Sequence, residues 1–273
     1  MQPVAVVTGA NRGIGLGFCK ALLQRNVHVV ATARDPVKGS KVVTDLQRQG
    51  LNVRFFPLDL VSFESIIRFL FFLEDNYGRL DILVNSAAIC REDSDIVTLQ
   101  QTLQTNFQSL VFLTLQLLPL MEKAGRARIL NISSGDGELC FFSSSFCAAL
   151  QQCSTLQQLV NFSCDLCVSR TSWSFGYPNI LRHIHGSQPF YRLSKALVNR
   201  FTQLLDQCIP HHTDIIVNAV CPGDVDTAMA DMQVKELQTV TEAVENMIWL
   251  LDLSKQHSLP RGSFLRKQTY ISW

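Results

Sequence analysis

Thr8-Gly9-Ala10-Asn11-Arg12-Gly13-Ile14-Gly15 joins a short apolar run to a helical pattern, and this junction indicates the fold class. The four apolar residues before Thr8 predict a buried strand, and the apolar spacing after the stretch predicts a helix over about residues 13–25. Gly9 allows a sharp turn out of the strand, Gly13 allows a close approach to the backbone, and Gly15 allows tight helix packing. A strand, a glycine turn and a helix in this order predict a phosphate-binding site, since free N–H groups at a helix N-terminus attract anions.

The same alternation of apolar runs and helical patterns continues along the chain, which is typical of a parallel sheet with helices on both faces. The sequence therefore predicts an α/β fold with a doubly wound parallel sheet, the Rossmann fold, as a single domain over residues 1–273. Further strands are predicted at about 27–32, 53–58, 82–84, 128–132, 215–219 and 264–271. Helices are predicted at about 13–25, 36–49, 62–77 and 190–207, with a long helix between the fourth and fifth strands.

An insertion is predicted at about residues 139–188, before the helix that starts near Phe190. Residues 139–181 contain only two charged side chains, Asp165 and Arg170, among Ser, Gln, Cys and Phe. This composition supports no assignment of helices or strands to the insertion.

Charge and hydropathy exclude several classes of partner. The formal net charge is +1 and the basic residues are scattered, which argues against a nucleic-acid site and against a polybasic membrane surface. The longest apolar stretch, residues 107–120, contains Gln108 and Gln116 and is shorter than the ~20 residues of a membrane helix. It predicts a buried helix. With no export signal at the start of the sequence, we expect a cytoplasmic protein.

The nine cysteines are an odd number, which favours reduced thiols over a set of disulfides. Cys164 and Cys167 have the spacing of a redox motif, but neither a second pair nor a surrounding strand-helix pattern accompanies them. We predict no metal site.

The end of the second predicted strand bears on the cofactor. An NAD site usually has an acidic residue there, which binds the ribose 2′-hydroxyl. This chain has Thr32-Ala33-Arg34, and Arg12 in the glycine turn adds a second guanidinium. Two guanidinium groups suit the 2′-phosphate of NADP. Asp35 leaves an alternative open, in which it pairs with Arg34 in a solvated loop.

Tyr191 and Lys195 are four residues apart in a predicted helix, so their side chains lie on one face. An ammonium group favours the phenolate and is expected to lower the tyrosine pKa towards neutrality, where the phenol can act as a general acid. Ser134 follows the predicted strand at 128–132, at the end of the sheet where ligands bind. It could hydrogen-bond a substrate carbonyl, or serve only as a turn residue or helix cap.

With these motifs in order, the chain resembles the short-chain dehydrogenase/reductase family, in particular its monomeric NADPH-dependent carbonyl reductases. The resemblance covers nearly the whole length. The motifs that carry it are Thr8 to Gly15, Thr32 to Asp35, Leu58 to Leu60, Leu80 to Asn85, Thr105 to Phe107, Asn131 to Ser134, Tyr191 to Lys195, Cys221 to Gly223 with Thr227, and Gly262 to Trp273. Where the family usually has Asn-Asn-Ala-Gly, this chain has Asn85-Ser86-Ala87-Ala88.

The resemblance implies reduction of aldehydes, ketones or quinones to alcohols with NADPH. Tyr191 would donate the proton, Ser134 would orient the substrate, and Lys195 would bind the nicotinamide ribose. Asn106 would hold a water in a proton relay through Lys195. The implied cofactor contacts are Gly9, Asn11, Arg12, Gly13, Ile14, Gly15, Arg34, Asp59, Leu60, Asn85, Tyr191, Lys195, Pro222, Gly223, Val225 and Thr227, with Asp59 meeting the adenine amino group.

The long separation between Ser134 and Tyr191 is similar to that of the carbonyl reductases. In that subgroup the insertion covers the helix surface through which other members dimerise, so the resemblance implies a monomer with a small-molecule carbonyl substrate. Two alternatives remain. One is a hydroxysteroid or other alcohol dehydrogenase using the same residues in reverse. The other is a catalytically weak NADP-binding sensor or scaffold, motivated by the altered Asn85-to-Ala88 segment.

Overall fold

A central sheet organises the computed structural model, which describes residues 2–168, 174–210, 212–229, 236–255 and 258–271. Arg170 and Trp273, noted in the sequence, lie outside these residues. The strands are β1 (Val4–Val7), β2 (His28–Ala33), β3 (Val53–Pro57), β4 (Ile82–Asn85), β5 (Arg126–Ile132), β6 (Asp214–Val220), β7 (Phe264–Arg266) and β8 (Thr269–Tyr270). Their order in the sheet is β3-β2-β1-β4-β5-β6-β7-β8, and every pair is parallel except β7 with β8. The predicted doubly wound parallel sheet is confirmed.

Helices connect the strands, and most begin at a residue whose side chain caps the first turn. They are α1 (Gly13–Gln24), α2 (Pro36–Arg48), α3 (Phe63–Tyr77), α4 (Ile96–Leu103), α5 (Ser109–Ala124), α6 (Ser144–Gln152), α7 (Leu156–Leu166), α8 (Pro189–Cys208) and α9 (Val240–Glu245). Ser62, for example, accepts a hydrogen bond from the Ser65 backbone and so starts α3 where the sequence predicts. In the part of the chain that the structure describes, no helix is both long and apolar enough to span a membrane.

Two hydrophobic cores lie on opposite faces of the sheet. Alternate residues of β1 divide between them, with Val4 and Val6 in one and Ala5 and Val7 in the other. The first core packs the sheet against α3, α5 and α8, and the second packs it against α1, α2 and α9. A strand buried on both faces needs apolar residues throughout, which is why β1 consists of four of them.

The strand order reverses at β1, whose neighbours are β2 on one side and β4 on the other. The chain leaves β1 and β4 in opposite lateral directions, which opens a crevice at their carboxyl ends. All the predicted catalytic and cofactor residues come from segments near this edge of the sheet.

The structure departs from the sequence prediction in three elements. The predicted helix between the fourth and fifth strands is interrupted by a π turn over Gln104–Gln108, which separates α4 from α5. The predicted last strand is a hairpin, because Lys267 and Gln268 adopt positive φ angles of 47° and 66° and turn the chain back. The insertion contains α6 and α7, whose first turns are capped by Ser143 and Thr155.

Candidate active site

Ser134 lies immediately beyond β5 and starts a short 3₁₀ turn over Gly135–Gly137. Its Oγ accepts a hydrogen bond from the Asp136 backbone N–H at 3.2 Å and lies 3.3 Å from Asp136 Oδ2. The turn fixes the hydroxyl at the carboxyl end of the sheet. Of the two roles that the sequence allowed for Ser134, the structure shows the cap of this turn.

Helix α8 brings Tyr191 and Lys195 to the same place. The ammonium nitrogen of Lys195 lies 5.3 Å from the centre of the Tyr191 ring, and it donates a 2.7 Å hydrogen bond to the Ile132 carbonyl at the end of β5. The Ser134 side chain lies near enough to the Tyr191 phenol to lower its pKa. Two elements distant in sequence therefore assemble the predicted catalytic group.

Asn106 lies in the π turn, and its side chain binds the segment that follows β4. Its Oδ1 accepts from the Ile89 N–H at 2.8 Å, and its Nδ2 donates to the Ile89 carbonyl at 2.8 Å and to Ser194 Oγ at 3.1 Å. Ser194 precedes Lys195 in α8. The π turn thus links α8 to the segment that follows β4, and such turns occur often at functional sites.

Burial has the largest influence on the pKa values of Tyr191 and Lys195, the two predicted catalytic side chains. It raises the pKa of the Tyr191 phenol above its ordinary range, and the neighbouring Cys90 and Asp136 raise it further, while the nearby Ser134 side chain lowers it. Burial also lowers the pKa of the Lys195 ammonium to about 8. The expectation that Lys195 brings the tyrosine pKa towards neutrality is therefore wrong for this structure, because the Lys195 charge does not offset the desolvation of the phenol.

The glycine turn after β1 packs as its sequence predicts. Gly9 has a φ of +66°, and a methyl group there would lie 2.9 Å from the Ala87 Cα. A methyl group on Gly15 would lie 2.5 Å from the Gly9 carbonyl oxygen. Both positions exclude larger residues, since real Cβ atoms do not approach other atoms so closely. The turn, the start of α1 and the segment after β4 therefore form one close-packed unit.

The same unit is held by Thr8. Its Oγ1 accepts from the backbone N–H groups of Ser86 and Ala87 at 3.0 and 3.1 Å. The segment after β4 departs from the family pattern at Ser86 and Ala88. Its backbone is held by the Thr8 hydroxyl, at the end of β1, rather than by the Ser86 side chain.

The N-terminus of α1 suits a dinucleotide phosphate. Arg12 is its N-cap residue and makes no side-chain capping bond, and the first turn holds no acidic residue. Its N–H groups and positive dipole end are thus available to an anion. The exposed Arg12 and Arg34 side chains form no ion pair with any residue the structure describes. Asp35, the alternative partner of Arg34, instead caps α2 and lies near Lys38.

The other predicted cofactor residues lie around this crevice. Pro222, Gly223, Val225 and Thr227 follow β6, and the Thr227 side chain would be 3.5 Å from a methyl group on Gly13. Asn11 and Ile14 lie in the glycine turn and the first turn of α1, and Asp59 and Leu60 follow β3. These residues fit an extended dinucleotide along the carboxyl ends of β3 to β6, and their contacts with it stay predictions.

The Asn85 side chain points into the core. Its Nδ2 donates to Thr114 Oγ1 at 3.0 Å and to Asn131 Oδ1 at 2.9 Å, and Asn131 in turn donates to Thr202 Oγ1 at 2.9 Å. This buried chain of hydrogen bonds links β4, α5, β5 and α8. Any contact of Asn85 with the cofactor would therefore involve its backbone, and that role stays a prediction.

Several residues around the predicted catalytic groups are not among the predicted site residues. Asp136 bonds Ser134, Arg192 pairs with Asp136 at 3.0 Å, and Cys90 Sγ lies 3.1 Å from Gln188 Oε1. Cys221 Sγ accepts from the Gly135 N–H at 3.1 Å. Asp136 and Arg192 each lie within two residues of a predicted catalytic side chain, and that proximity was a signal available in the sequence.

A cavity of about 380 Å³ opens beside the start of α8. It is lined by Glu92, Ser94, Leu181, Ile184, Gly186, Ser187, Gln188 and Pro189. Gln188 has a φ of +54° and immediately precedes α8, so the cavity adjoins the tyrosine helix on the side of the insertion. This volume could hold the part of a substrate that extends away from its reacting carbon.

Comparison with known proteins identifies the family of this chain. The model of the short chain dehydrogenase family matches residues 3–150. Carbonyl reductase 3 (NADPH) of Homo sapiens is 32% identical over 285 residues, which cover 99% of this chain and 98% of that protein. Carbonyl reductase 1 (NADPH) of Sus scrofa is 31% identical over 284 residues, covering 99% of this chain and 94% of that protein.

Among solved structures, salutaridine reductase from Papaver somniferum superimposes with a TM-score of 0.82 and 27% identity, covering 96% of this chain and 99% of that one. This chain belongs to the short-chain dehydrogenase/reductase family.

Proposed function

We propose that this protein is an NADPH-dependent carbonyl reductase that converts aldehydes, ketones or quinones to alcohols, with Tyr191 as the proton donor. One observation carries the proposal. Tyr191 and Lys195 on α8, Ser134 beyond β5 and Asn106 in the π turn come together at the carboxyl end of β5, where Lys195 binds the Ile132 carbonyl and Asn106 binds Ser194 next to Lys195. The names of the carbonyl reductase relatives support the same chemistry and the same cofactor.

Bound NADPH would supply a hydride to the carbonyl carbon, and the protein would supply the proton that the oxygen then needs. Tyr191 carries the proton at neutral pH, as an ordinary phenol does, and burial makes it a weaker acid rather than a stronger one. It can still donate to the oxygen, because the alkoxide that hydride transfer would create is a much stronger base than a phenolate. Ser134 would hydrogen-bond the carbonyl oxygen and hold it near the phenol. Lys195, with a pKa of about 8, exchanges protons easily near neutrality and would return one to Tyr191 with the help of a water held at Asn106.

Arg12 and Arg34 support the preference for NADPH. Both guanidinium groups are exposed near the start of α1 and the end of β2. A 2′-phosphate in this region would gain two charge-assisted contacts, and the 2′-hydroxyl of NADH would gain neither.

The direct test is to follow oxidation of NADPH and NADH by the purified protein against a panel of quinones, aldehydes and ketones. We expect turnover with NADPH, and a loss of kcat of at least about 100-fold in Tyr191→Phe. Tight NADPH binding without turnover would instead favour the sensor or scaffold. Oxidation of alcohols with NADP as the only detectable reaction would favour the dehydrogenase. Undiminished turnover by Tyr191→Phe would refute the proposed proton donor.

We also propose that the protein is a cytoplasmic monomer. Helices α6 and α7 pack on α8, where Leu159 and Leu166 are buried and Arg200 donates to the Cys153 carbonyl at 2.8 Å. The surface of α8 on that side is therefore occupied by the chain itself. Light scattering should give the mass of one chain, and cell fractionation should place the protein in the cytosol; a dimer mass would contradict the first part of this proposal.

A further inference from the structure

The turn that carries Ser134 also carries a carboxylate in contact with its hydroxyl. The Asp136 carboxylate accepts a hydrogen bond from the Ser134 hydroxyl at 3.3 Å. The Asp136 backbone N–H donates to Ser134 Oγ at 3.2 Å. A methyl group on the next residue, Gly137, would lie 2.7 Å from the Lys195 carbonyl carbon. The turn is thus packed against the catalytic helix, and Asp136 cannot move far from the reacting groups.

Arg192 meets this carboxylate from α8. Its Nη2 lies 3.0 Å from Asp136 Oδ1, its Nε donates to the Ser187 carbonyl at 2.7 Å, and its guanidinium carbon lies 3.9 Å from the centre of the Phe141 ring. Only 11% of the side chain is exposed. Three contacts in different directions hold the guanidinium in one position, whereas the side chains of a surface ion pair are usually mobile.

The position matters because carbonyl reduction builds negative charge on the substrate oxygen. In the proposed function this oxygen lies between Ser134 and Tyr191, one hydrogen bond away from Asp136. The Asp136 side chain is 31% exposed, so water screens its charge only in part, and an uncompensated carboxylate so close would oppose the developing charge. The Asp136 charge does reach the neighbouring groups, since it raises the pKa of both Tyr191 and Cys90.

We propose that Arg192 is a positioning residue of the reaction, which neutralises Asp136 and holds it so that Asp136 orients the Ser134 hydroxyl without repelling the developing alkoxide. The inference rests on the proposed roles of Ser134 and Tyr191. The inference predicts that the effects of the two residues on the reaction are coupled, because Asp136 helps the reaction only while Arg192 neutralises its charge.

A double-mutant cycle tests this coupling through kcat and KM for a carbonyl substrate that the wild-type protein reduces. Arg192→Met removes the charge and keeps an apolar chain over Phe141, and we expect it to lower kcat about tenfold. Asp136→Asn should change kcat by less than about threefold, and the double variant should match Asp136→Asn rather than Arg192→Met. Glu138→Gln, a carboxyl-to-amide change in the same turn without contact to Ser134, is the matched control and should keep the wild-type kcat.

A second readout needs no turnover. The rate at which iodoacetamide alkylates Cys90, followed by mass spectrometry, reports the charge near the thiol. Arg192→Met should slow this alkylation, because it leaves Asp136 uncompensated, and the double variant should restore it. Inactivity of the wild-type protein would count against the proposed function, while the Cys90 rates would still decide whether Arg192 neutralises Asp136.

Two results would overturn the inference. One is a double variant as slow as Arg192→Met in both kcat and Cys90 alkylation, which would show that Arg192 only supports the start of α8. The other is a wild-type kcat in a folded Arg192→Met protein. If Arg192→Met does not fold, Arg192→Lys carries the test: a kcat within about threefold of wild type supports charge neutralisation, and a tenfold loss refutes it.

Discussion

Two buried basic side chains lie near opposite ends of β5, and they differ in how many hydrogen-bond partners they have. At the amino end, Arg128 is fully buried and donates to four backbone carbonyls, those of Ala127, Asp214, Asp252 and Lys255. Its guanidinium also binds the Asp214 carboxylate at 3.1 Å. Nearly every donor of this cation has a partner.

At the carboxyl end, Lys195 is 3% exposed and donates to the Ile132 carbonyl. Among the described residues no carboxylate forms an ion pair with it. Burial lowers the pKa of both cations, and a nearby carboxylate opposes the change in each case, Asp214 at Arg128 and Asp136 at Lys195. Only Asp214 is in direct contact with its cation, through a 3.1 Å hydrogen bond. The comparison teaches that a buried charge with a full set of partners supports the fold, whereas one with few partners keeps its proton loosely and is available for chemistry.

The largest effect that this comparison predicts is on stability at the amino end. Arg128→Met leaves four buried carbonyls and Asp214 with fewer donors, and we expect the free energy of unfolding to fall by about 3–5 kcal/mol. Urea denaturation measures it. Arg126→Met is the matched control: Arg126 also pairs with Asp214, at 2.8 Å, but its side chain is 41% exposed, so its loss should cost about 1 kcal/mol or less. Equal losses in the two variants would contradict the distinction.

At the carboxyl end of β5, replacing the buried cation is predicted to increase the free energy of unfolding. The Lys195 pKa falls from 10.5 to about 8 on folding, so the charged side chain destabilises the folded protein by about 3 kcal/mol at pH 7. Lys195→Met removes that penalty and loses one hydrogen bond worth about 1 kcal/mol. We therefore expect the variant to be about 2 kcal/mol more stable in urea denaturation, and to have lost its reductase activity. A less stable variant would show that Lys195 supports the fold as Arg128 does.

The stability difference between Lys195→Met and the wild-type protein should depend on pH. Between pH 8 and 10.5 the unfolded chain keeps the Lys195 proton and the folded protein has released it, so wild-type stability rises with pH in this window relative to Lys195→Met. The advantage of the variant should shrink from about 2 kcal/mol at pH 7 to near zero at pH 10. Urea titrations of both proteins across this range measure it, and a constant difference would rule out titration of Lys195 as its source.

Much of this architecture could be predicted from the sequence, because its signals are local. The apolar run of β1, the glycine turn and the N-cap Ser62 place their elements to within a residue or two. Tyr191 and Lys195 share a face because the helical repeat puts them there. The insertion was unassigned because it lacks charge, yet Thr155 and Gln158 form a capping box that marks the start of α7.

The rest depends on contacts between distant segments. No local pattern indicates that Lys195 binds the Ile132 carbonyl, that Asn106 binds the Ile89 backbone, or that Asp136 meets Arg192. The direction of the Tyr191 pKa depends on how deeply α8 and the turn after β5 bury the phenol, which spacing along a helix does not reveal. The sequence therefore predicts which groups act, and the packing decides their protonation.

The smallest predicted effect on stability concerns Arg12 and Arg34, two exposed basic side chains near α1 that form no ion pair with a described residue. Arg12→Ser and Arg34→Ser should each change the free energy of unfolding by less than about 0.5 kcal/mol, because neither side chain forms an ion pair with a described residue. Each should nevertheless raise the KM for NADPH about tenfold and leave that for NADH unchanged, since a charge-assisted contact contributes about 1.5 kcal/mol. Arg48→Ser, at the far end of α2 and paired with Asp45 at 3.1 Å, is the matched control and should change neither constant. A parallel loss with NADH would mean that the two guanidinium groups hold the pyrophosphate rather than the 2′-phosphate, and steady-state kinetics with both cofactors separates these outcomes.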